Sequence, residues 1–314
     1  MNGDHIIALG FFDGVHRGHA ALLARTAEEG RAKGLTPAAL SFDEHPLTRV
    51  SGRRVPLLTV PADRTALIRE LFGIEESIVL RFNDEMMRMP WERFLDSLIE
   101  EYDAAHIVCG YDYSCGYRGL GTAERLARRC AELGIGCDVI DPVTVDGIRV
   151  SSSLIRELIT EGRTEEALRY YGHPHMMTGI VRTGKKLGRT IDAPTINLRF
   201  DRDLIVPKHG VYASVVTLPD GRRLPGVTNV GVRPTVEDTT TVNAETYILD
   251  YSGDLYGRTV RLELFRFLRP EMRFSGIEEL KRRIHADTDT VRDYFSINGQ
   301  YLSGRGTETE GGRR

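Results

Sequence analysis

No apolar run in the sequence approaches the roughly 20 residues that a membrane-spanning helix requires, which excludes a transmembrane helix. The four cysteines, Cys109, Cys115, Cys130 and Cys137, include no C-x-x-C pair and no histidine-linked zinc spacing. A disulfide-stapled or zinc-finger fold is thereby excluded, and reduced thiols in a cytoplasmic protein are expected. The first residues lack a basic start and a signal-peptide core, so no export is expected. An excess of positive charge is missing too. The net charge is -3, with no polybasic face, so bulk binding to nucleic acid or a membrane surface has no electrostatic support. Internal repeats are absent. Hydrophobic residues at 41% and charged residues at 28% are ordinary for a globular chain and exclude a disordered or fibrous one. At 314 residues, two domains are the expectation, each able to bury its own core.

The first half alternates apolar runs with helical periodicity. Residues 5–10, 37–42, 77–82, 106–110 and 137–143 read as buried strands. Between them, Trp91, Phe94, Leu95, Leu98, Ile99 and Tyr102 fall on one helical face, and the stretch 122–133 ends at Gly134, a helix C-cap. This alternation predicts a doubly wound parallel sheet with helices on both faces, and ligands at the carboxyl ends of its strands. Near Tyr171-Gly172-His173-Pro174 the period changes to two. Val260, Leu262 and Leu264 interleave with Arg261 and Glu263, and 211–218 and 244–251 are strand-like. Ile277, Leu280, Ile284, Val291, Tyr294 and Phe295 mark a closing amphipathic helix. The expectation is α/β followed by β: residues 1–172 as the first domain, and 173–302 as a small antiparallel β-barrel with a terminal helix. Residues 303–314 are polar and glycine-rich and read as a disordered tail.

The sharpest chemical signal is the segment from Gly10 to His19, which follows the first strand. His16 and His19 lie on one helical face, Gly18 lets a phosphate approach the backbone, and the helix N-terminus supplies donors. Such a site stabilises charge on an attacked α-phosphate without a protein nucleophile. The same pair read alone fits a metal pair or surface histidines equally well. A second cluster, Ser151, Ser152, Ser153 and Arg156, is by itself mostly a helix cap, and beside the histidines it becomes an anion clamp. In the second half, Gly179, Gly184, Lys185, Gly188 and Arg189 form a glycine-rich basic stretch without Walker spacing, so it reads as a basic turn or a phosphate flap. Glu245 shares a strand face with Tyr247 and Leu249. If that face points inward, burial raises the carboxyl pKa and suits it to deprotonate an alcohol.

Together these segments resemble the prokaryotic bifunctional riboflavin kinase/FMN adenylyltransferase (FAD synthetase) family. Gly10 to His19 matches G-x-F-D-G-V-H-x-G-H, and Ser151 to Arg156 matches S-S-x-x-I-R. Ser41 to Pro46 stands where the family has F-x-x-H-P, Gly110-Tyr111-Asp112 matches its V-G-x-D-F turn, and Pro194-Thr195-Ile196-Asn197 its P-T-x-N motif. Residues 245–250 match E-T-H-x-x-D with Tyr247 for histidine, and further matches run through 207–212, 229–235, 254–257 and 268–271.

The resemblance implies a nucleotidyltransferase-like Rossmann first domain that makes FAD and pyrophosphate from FMN and ATP. Its ATP site would include Gly10, Phe12, Asp13, Gly18, Ser151 and Ser152, with His16, His19 and Arg156 acting on the phosphates. It implies a second domain that phosphorylates riboflavin to FMN, with Glu245 as base, and Thr195 and Asn197 as ligands of magnesium that accompanies ATP. Gly179, Gly184, Lys185, Gly188, Arg189 and Pro194 would form its ATP site. Asp112, Arg233 and Arg269 would contact flavin, although Arg233 and Arg269 read equally well as surface ion pairs. The implied partners are small molecules only (riboflavin, FMN and ATP), with no nucleic acid and no membrane, and a homo-oligomer is left open.

Three departures stand out. The loop after Asp112 runs Tyr113 to Thr122 where the family has F-x-F-G-x-x-R-x-G-D: its arginine is one place early, Cys115 replaces an aromatic and Thr122 an acid. Phe11 replaces a polar residue, and Asp192 a glycine of the kinase nucleotide loop. The altered loop motivates the alternative of a riboflavin kinase with a weak or redirected adenylyltransferase half. A non-catalytic flavin sensor is the further rival, against which the retention of Glu245, His16 and His19 speaks.

Overall fold

The structure is a computed structural model that describes residues 3–182, 194–232 and 242–303. Gly184, Lys185, Gly188, Arg189, Asp192 and Arg233 lie outside the described residues, as does the expected tail beyond Ser303. The chain divides into two compact units at Ser152/Ser153.

In the first unit, five strands form one wholly parallel sheet. They are β1 (His5–Leu9), β2 (Thr36–Phe42), β3 (Glu76–Leu80), β4 (Ala104–Gly110) and β7 (Gly136–Ile140), in the spatial order β3-β2-β1-β4-β7. The apolar runs become strands because both sheet faces are covered. Ile6, Ile7, Ala8 and Leu9 have no exposed surface at all. Five helices connect these strands: α1 (Arg17–Lys33), α2 (Pro46–Ser51), α3 (Pro61–Phe72), α4 (Asp84–Arg88) and α5 (Trp91–Tyr102). The sixth, α6 (Ala123–Leu133), stops at Gly134, whose φ of 72° is the left-handed value the C-cap requires. Phe94, Leu95 and Leu98 of α5 and Leu126 and Cys130 of α6 complete the core on one face. Chain order reverses at β1, with β2 on one side and β4 on the other, and a doubly wound sheet opens a crevice at that point.

Two short ribbons, β5 (Ser114–Cys115) with β6 (Gly121–Thr122) and β8 (Thr144–Val145) with β9 (Ile148–Arg149), lend Ser114, Cys115 and Arg149 to the lining of that crevice. The first is the atypical loop. Gly116 and Gly121 press flat on Trp91: a Cβ would come within 2.5 Å of the Trp91 Cα from Gly116, and within 2.4 Å of its Cβ from Gly121. Thr122, standing where the family has an acid, caps α6 by accepting from the Arg125 N–H at 3.4 Å. Burial, with the charge of Glu92 adding to it, pushes the Cys115 thiol up to about 12, so it is no nucleophile at neutral pH.

The second unit begins with α7 (Ser152–Glu161, whose first residue closes the preceding unit) and α8 (Thr164–Tyr171). Six strands follow: β10 (His175–Ile180), β11 (Thr195–Arg199), β12 (Gly210–Thr217), β13 (Arg223–Val232), β14 (Val242–Ile248) and β15 (Thr259–Arg269). They pair antiparallel in the order β10-β15-β12-β13-β14-β11. Arg182, just past β10, forms a bridge to Asn197 of β11, so the two edge strands converge and the sheet curls into a half-barrel. The terminal helix α9 (Ile277–Ile297) lays Val291, Tyr294 and Phe295 on Val211, Val215, Val227 and Phe265. Its apolar stripe is shorter than the sequence suggests, because Ile277 in the first turn is 60% exposed. Deeper in, the helix is held by charge. Asp287 accepts from Arg269 Nη2 at 2.7 Å and from its Nε at 3.0 Å.

His175 at the start of β10 is buried, and among the described residues the Tyr171 hydroxyl approaches its Nδ1, at 3.4 Å. Burial, reinforced by His173, drives its pKa down to about 3. The unfolded chain then takes up a proton near pH 6.5 that the folded one refuses, so stability is lost as pH falls from 6.5 towards 3. A single such group costs about 1.4 kcal/mol per pH unit in that window. We expect wild type to lose about 2–3 kcal/mol more than His175→Gln between pH 6.5 and 4.5 in urea unfolding at each pH. Parallel stability curves for the two proteins would refute this.

Candidate active sites

The crevice of the first unit has a volume of about 890 Å³, and its floor is the carboxyl ends of β1, β2, β4 and β7. At one end the chain leaves β1 through a strained loop. Phe12 and Val15 both hold positive φ, 53° and 43°, an unusual conformation for a β-branched residue such as Val15. The loop is braced from the segment before α3. Asp13 is 2% exposed, and its Oδ1 accepts from the N–H groups of Leu58 and Thr59 at 2.8 and 3.0 Å. Thr59 Oγ1 accepts from Gly14 N–H at 2.9 Å. The carboxylate of Asp13 thus faces the protein and shapes the loop.

His16 is the N-cap of α1. Its Nδ1 accepts from the His19 N–H at 3.3 Å, so in the neutral ring the proton sits on Nε2, 3.1 Å from Ser152 Oγ. The Ser152 hydroxyl in turn donates to the Asp13 carbonyl at 3.3 Å. The rings of His16 and His19 stack with centroids 3.6 Å apart. Gly18 leaves room for that stack, since a Cβ there would stand 3.1 Å from the His16 ring. Two imidazoles, the Ser152 hydroxyl and the N-terminal end of a 17-residue helix therefore meet at one concave point, the arrangement that holds phosphate. Gly10, Gly18, His16, His19, Ser151 and Ser152 all line the crevice. Phe12 stands behind it, its ring edge-on to His19 at 5.4 Å. Arg156 follows Ser152 by one turn of α7. On the rim Asp112 is paired with Arg149, whose guanidinium lies 5.0 Å from the centroid of the Tyr111 ring.

In the second unit the polar cluster forms where β11 and β14 pair. Asn197 stands opposite Glu245, and Asn229 of β13 stands opposite it on the other side. Thr195 Oγ1 donates to Glu245 Oε1 at 2.7 Å. The more deeply buried face of β14 is the other one, carrying Ala244, Thr246 and Ile248, while Glu245 and Tyr247 are half-buried on the side of the α9 core. The conditional expectation of an inward-facing Glu245 therefore gives way to a carboxylate at a half-open position beside hydroxyl and amide oxygens. Those oxygens are hard donors of the kind magnesium takes, and Asn197 is only 5% exposed. Gly179 lies in β10 and Pro194 precedes β11, exposed. Arg269, read equally as a flavin contact or an ion pair, has its guanidinium bonded to Asp287 and the Pro270 carbonyl.

Sequence reasoning passed over Thr59 and Arg64. The available signal was an arginine on the inner face of a helix: α3 buries Asp63, Arg64, Leu67 and Ile68.

Residues 1–154 match the family described as FAD synthetase, and residues 171–295 the family described as riboflavin kinase. A bifunctional riboflavin kinase/FMN adenylyltransferase from Listeria monocytogenes is 35% identical over 93% of this chain and 92% of its own. The protein of the same description from Bacillus subtilis is 34% identical over 93% and 92%. A solved structure described as a macrolide-efflux protein from Streptococcus pneumoniae superposes with a TM-score of 0.81 at 27% identity, covering 93% of this chain and 95% of that one. Among the described residues, no helix of this chain is long and apolar enough to cross a membrane. Because both halves are matched, the alternative of a kinase with a redirected partner domain is not favoured. The chain belongs to the bifunctional riboflavin kinase/FMN adenylyltransferase family, with an adenylyltransferase half and a riboflavin kinase half.

Proposed function

We propose the following division of labour among the residues. In the second unit Glu245 takes the proton of the ribityl 5′-hydroxyl of riboflavin. That oxygen attacks the γ-phosphorus of ATP, ADP leaves and FMN results. Thr195 and Asn197 would hold magnesium, which neutralises phosphate charge when bound. Thr195 also orients the Glu245 carboxylate through its hydroxyl. Gly179 and Pro194 border the ATP phosphates, together with Gly184, Lys185, Gly188 and Arg189, and Arg233 belongs to the flavin side. Arg269 serves this site indirectly, by holding α9 on the sheet.

In the first unit a phosphate oxygen of FMN attacks the α-phosphorus of ATP and pyrophosphate leaves. His16, His19, Ser151, Ser152 and Arg156 bind the charge that builds up there, and Gly10 and Gly18 give the phosphates access to the backbone. Phe12 and Asp13 maintain the loop, and Asp112 contacts the flavin nucleotide. The functional boundary falls at 172/173, so that Arg156 remains with the adenylyltransferase signature.

The observation that carries this reading is the His16–Ser152–Asp13 hydrogen-bond chain at the head of α1, which presents two imidazoles and a hydroxyl to one point. Chromatography of products from riboflavin, ATP and magnesium tests it. FMN should appear first and FAD after it, with chelation of magnesium stopping both. Product formation undiminished by chelation would remove the metal from the scheme, and FMN without FAD would remove the adenylyl step.

A further inference from the structure

Arg64 is 1% exposed, among the most deeply buried of the large side chains in the described residues. Its Nη1 donates to the Phe11 carbonyl at 2.8 Å and its Nη2 to the Phe42 carbonyl at 2.6 Å. The Phe42 carbonyl ends β2 and the Phe11 carbonyl lies two residues beyond β1, the two strands whose ends floor the crevice beside the histidines. The same guanidinium lies over the face of the Phe11 ring, 4.4 Å from its centroid. Phe11 in turn meets His45 with centroids 4.7 Å apart, edge to face. His45 Nδ1 accepts from the Leu47 N–H at 3.2 Å, so the proton of its neutral ring lies on Nε2, and both Phe11 and His45 line the crevice.

Burying a charge is expensive: burial lowers the Arg64 pKa to about 10, and the charges of Asp13 and Asp43, with the two carbonyl acceptors, offset that cost. Filling space alone does not account for an arginine here. Its planar fork does, because only a guanidinium satisfies two diverging carbonyls and an aromatic face at once. We propose that Arg64 is a positioning residue for adenylyl transfer: it fixes the ends of β1 and β2 and, through the Phe11 ring, sets His45 at the nucleotide end of the crevice. This rests on the assignment of adenylyl transfer to the first unit. It also gives Phe11, where the family has a polar residue, a defined task.

The test uses the full chain with Arg64→Met, Arg64→Lys and Phe11→Leu. Steady-state rates are measured for FAD from FMN and ATP, and separately for FMN from riboflavin and ATP, alongside thermal melting. For Arg64→Met we expect kcat/KM of the FAD step to fall about 100-fold, mostly as a higher KM for ATP, with the kinase step within twofold and the melting temperature lowered, because the Phe42 carbonyl loses its donor. Arg64→Lys, which reaches one carbonyl at a time, should recover about tenfold of that loss. Phe11→Leu keeps both carbonyl bonds and should raise KM for ATP at unchanged melting temperature. Should Arg64→Met fail to fold, Arg64→Lys and Phe11→Leu decide by the same KM split. An unchanged FAD step, or one that falls only in parallel with melting temperature, overturns the proposal. A wild-type protein that makes FMN but no FAD overturns the underlying assignment instead.

Discussion

Glu245→Gln is expected to lower riboflavin phosphorylation by about 10²–10⁴-fold while leaving the conversion of FMN to FAD within twofold of wild type. Glutamine keeps the shape of the side chain and can still accept the Thr195 hydroxyl, which donates to Oε1 at 2.7 Å. What it loses is the ability to take a proton. Because β14 keeps its pairs with β11 and β13, the fold of the half-barrel should survive, and melting should show it. Initial rates of FMN formation, with radiolabelled ATP to detect slow turnover, measure the effect. A variant retaining more than a tenth of the wild-type rate would remove Glu245 as the base. A loss spread equally over both steps would mean that it acts through stability.

The second large effect is expected for His19→Ala. The His19 contribution to the α1 cap is its backbone N–H, which donates to His16 Nδ1, so alanine leaves the cap in place. The ring that is removed stacks on His16 and lines the crevice. The adenylyl step should fall by about 10²–10³-fold, in line with the loss of one donor to a developing charge, and FMN should accumulate from riboflavin. His16→Ala is a less clean probe. It also removes the helix cap, worth about 1 kcal/mol, and the bond to Ser152. Chromatographic separation of FMN and FAD over time distinguishes these cases. FAD formation unimpaired in His19→Ala would show that the paired imidazoles do not act on the nucleotide.

Legibility in the sequence followed the range of the interactions involved. The strands β1, β2 and β4 stand out because burial on both faces leaves a largely apolar run, and Gly134 marks a left-handed cap that few other residues tolerate. The histidine pair and the Ser152 cluster were visible as separate motifs, but the hydrogen bond that joins them spans 136 positions, and no local pattern encodes it. The same holds for Asp13. Its place in the motif suggests a ligand contact, whereas the fold turns its carboxylate onto Leu58 and Thr59. Arg269 read equally as a flavin contact or an ion pair, and its partner Asp287, 18 residues on and on another element, is not visible in the local pattern. The positive φ of Phe12 and Val15 leaves no trace in residue identity, because neither residue favours it and the surrounding braces impose it. Glu245 was found by resemblance, while its half-open position follows from which face of β14 meets the barrel interior.

The central claim is that one chain carries two separate active sites, with FMN passing from one to the other. A mixing experiment tests it most directly. Glu245→Gln and His19→Ala are each given riboflavin, ATP and magnesium, alone and then together in equal amounts. Alone, the first should make little FMN, and the second should accumulate FMN with little FAD. Together they should form FAD, as FMN released by one protein is adenylylated by the other. If the mixture forms no FAD although each variant keeps its unaltered step, FMN does not pass between separate sites. If either variant loses both steps while its melting temperature is unchanged, the two reactions share one site and the division of residues is wrong.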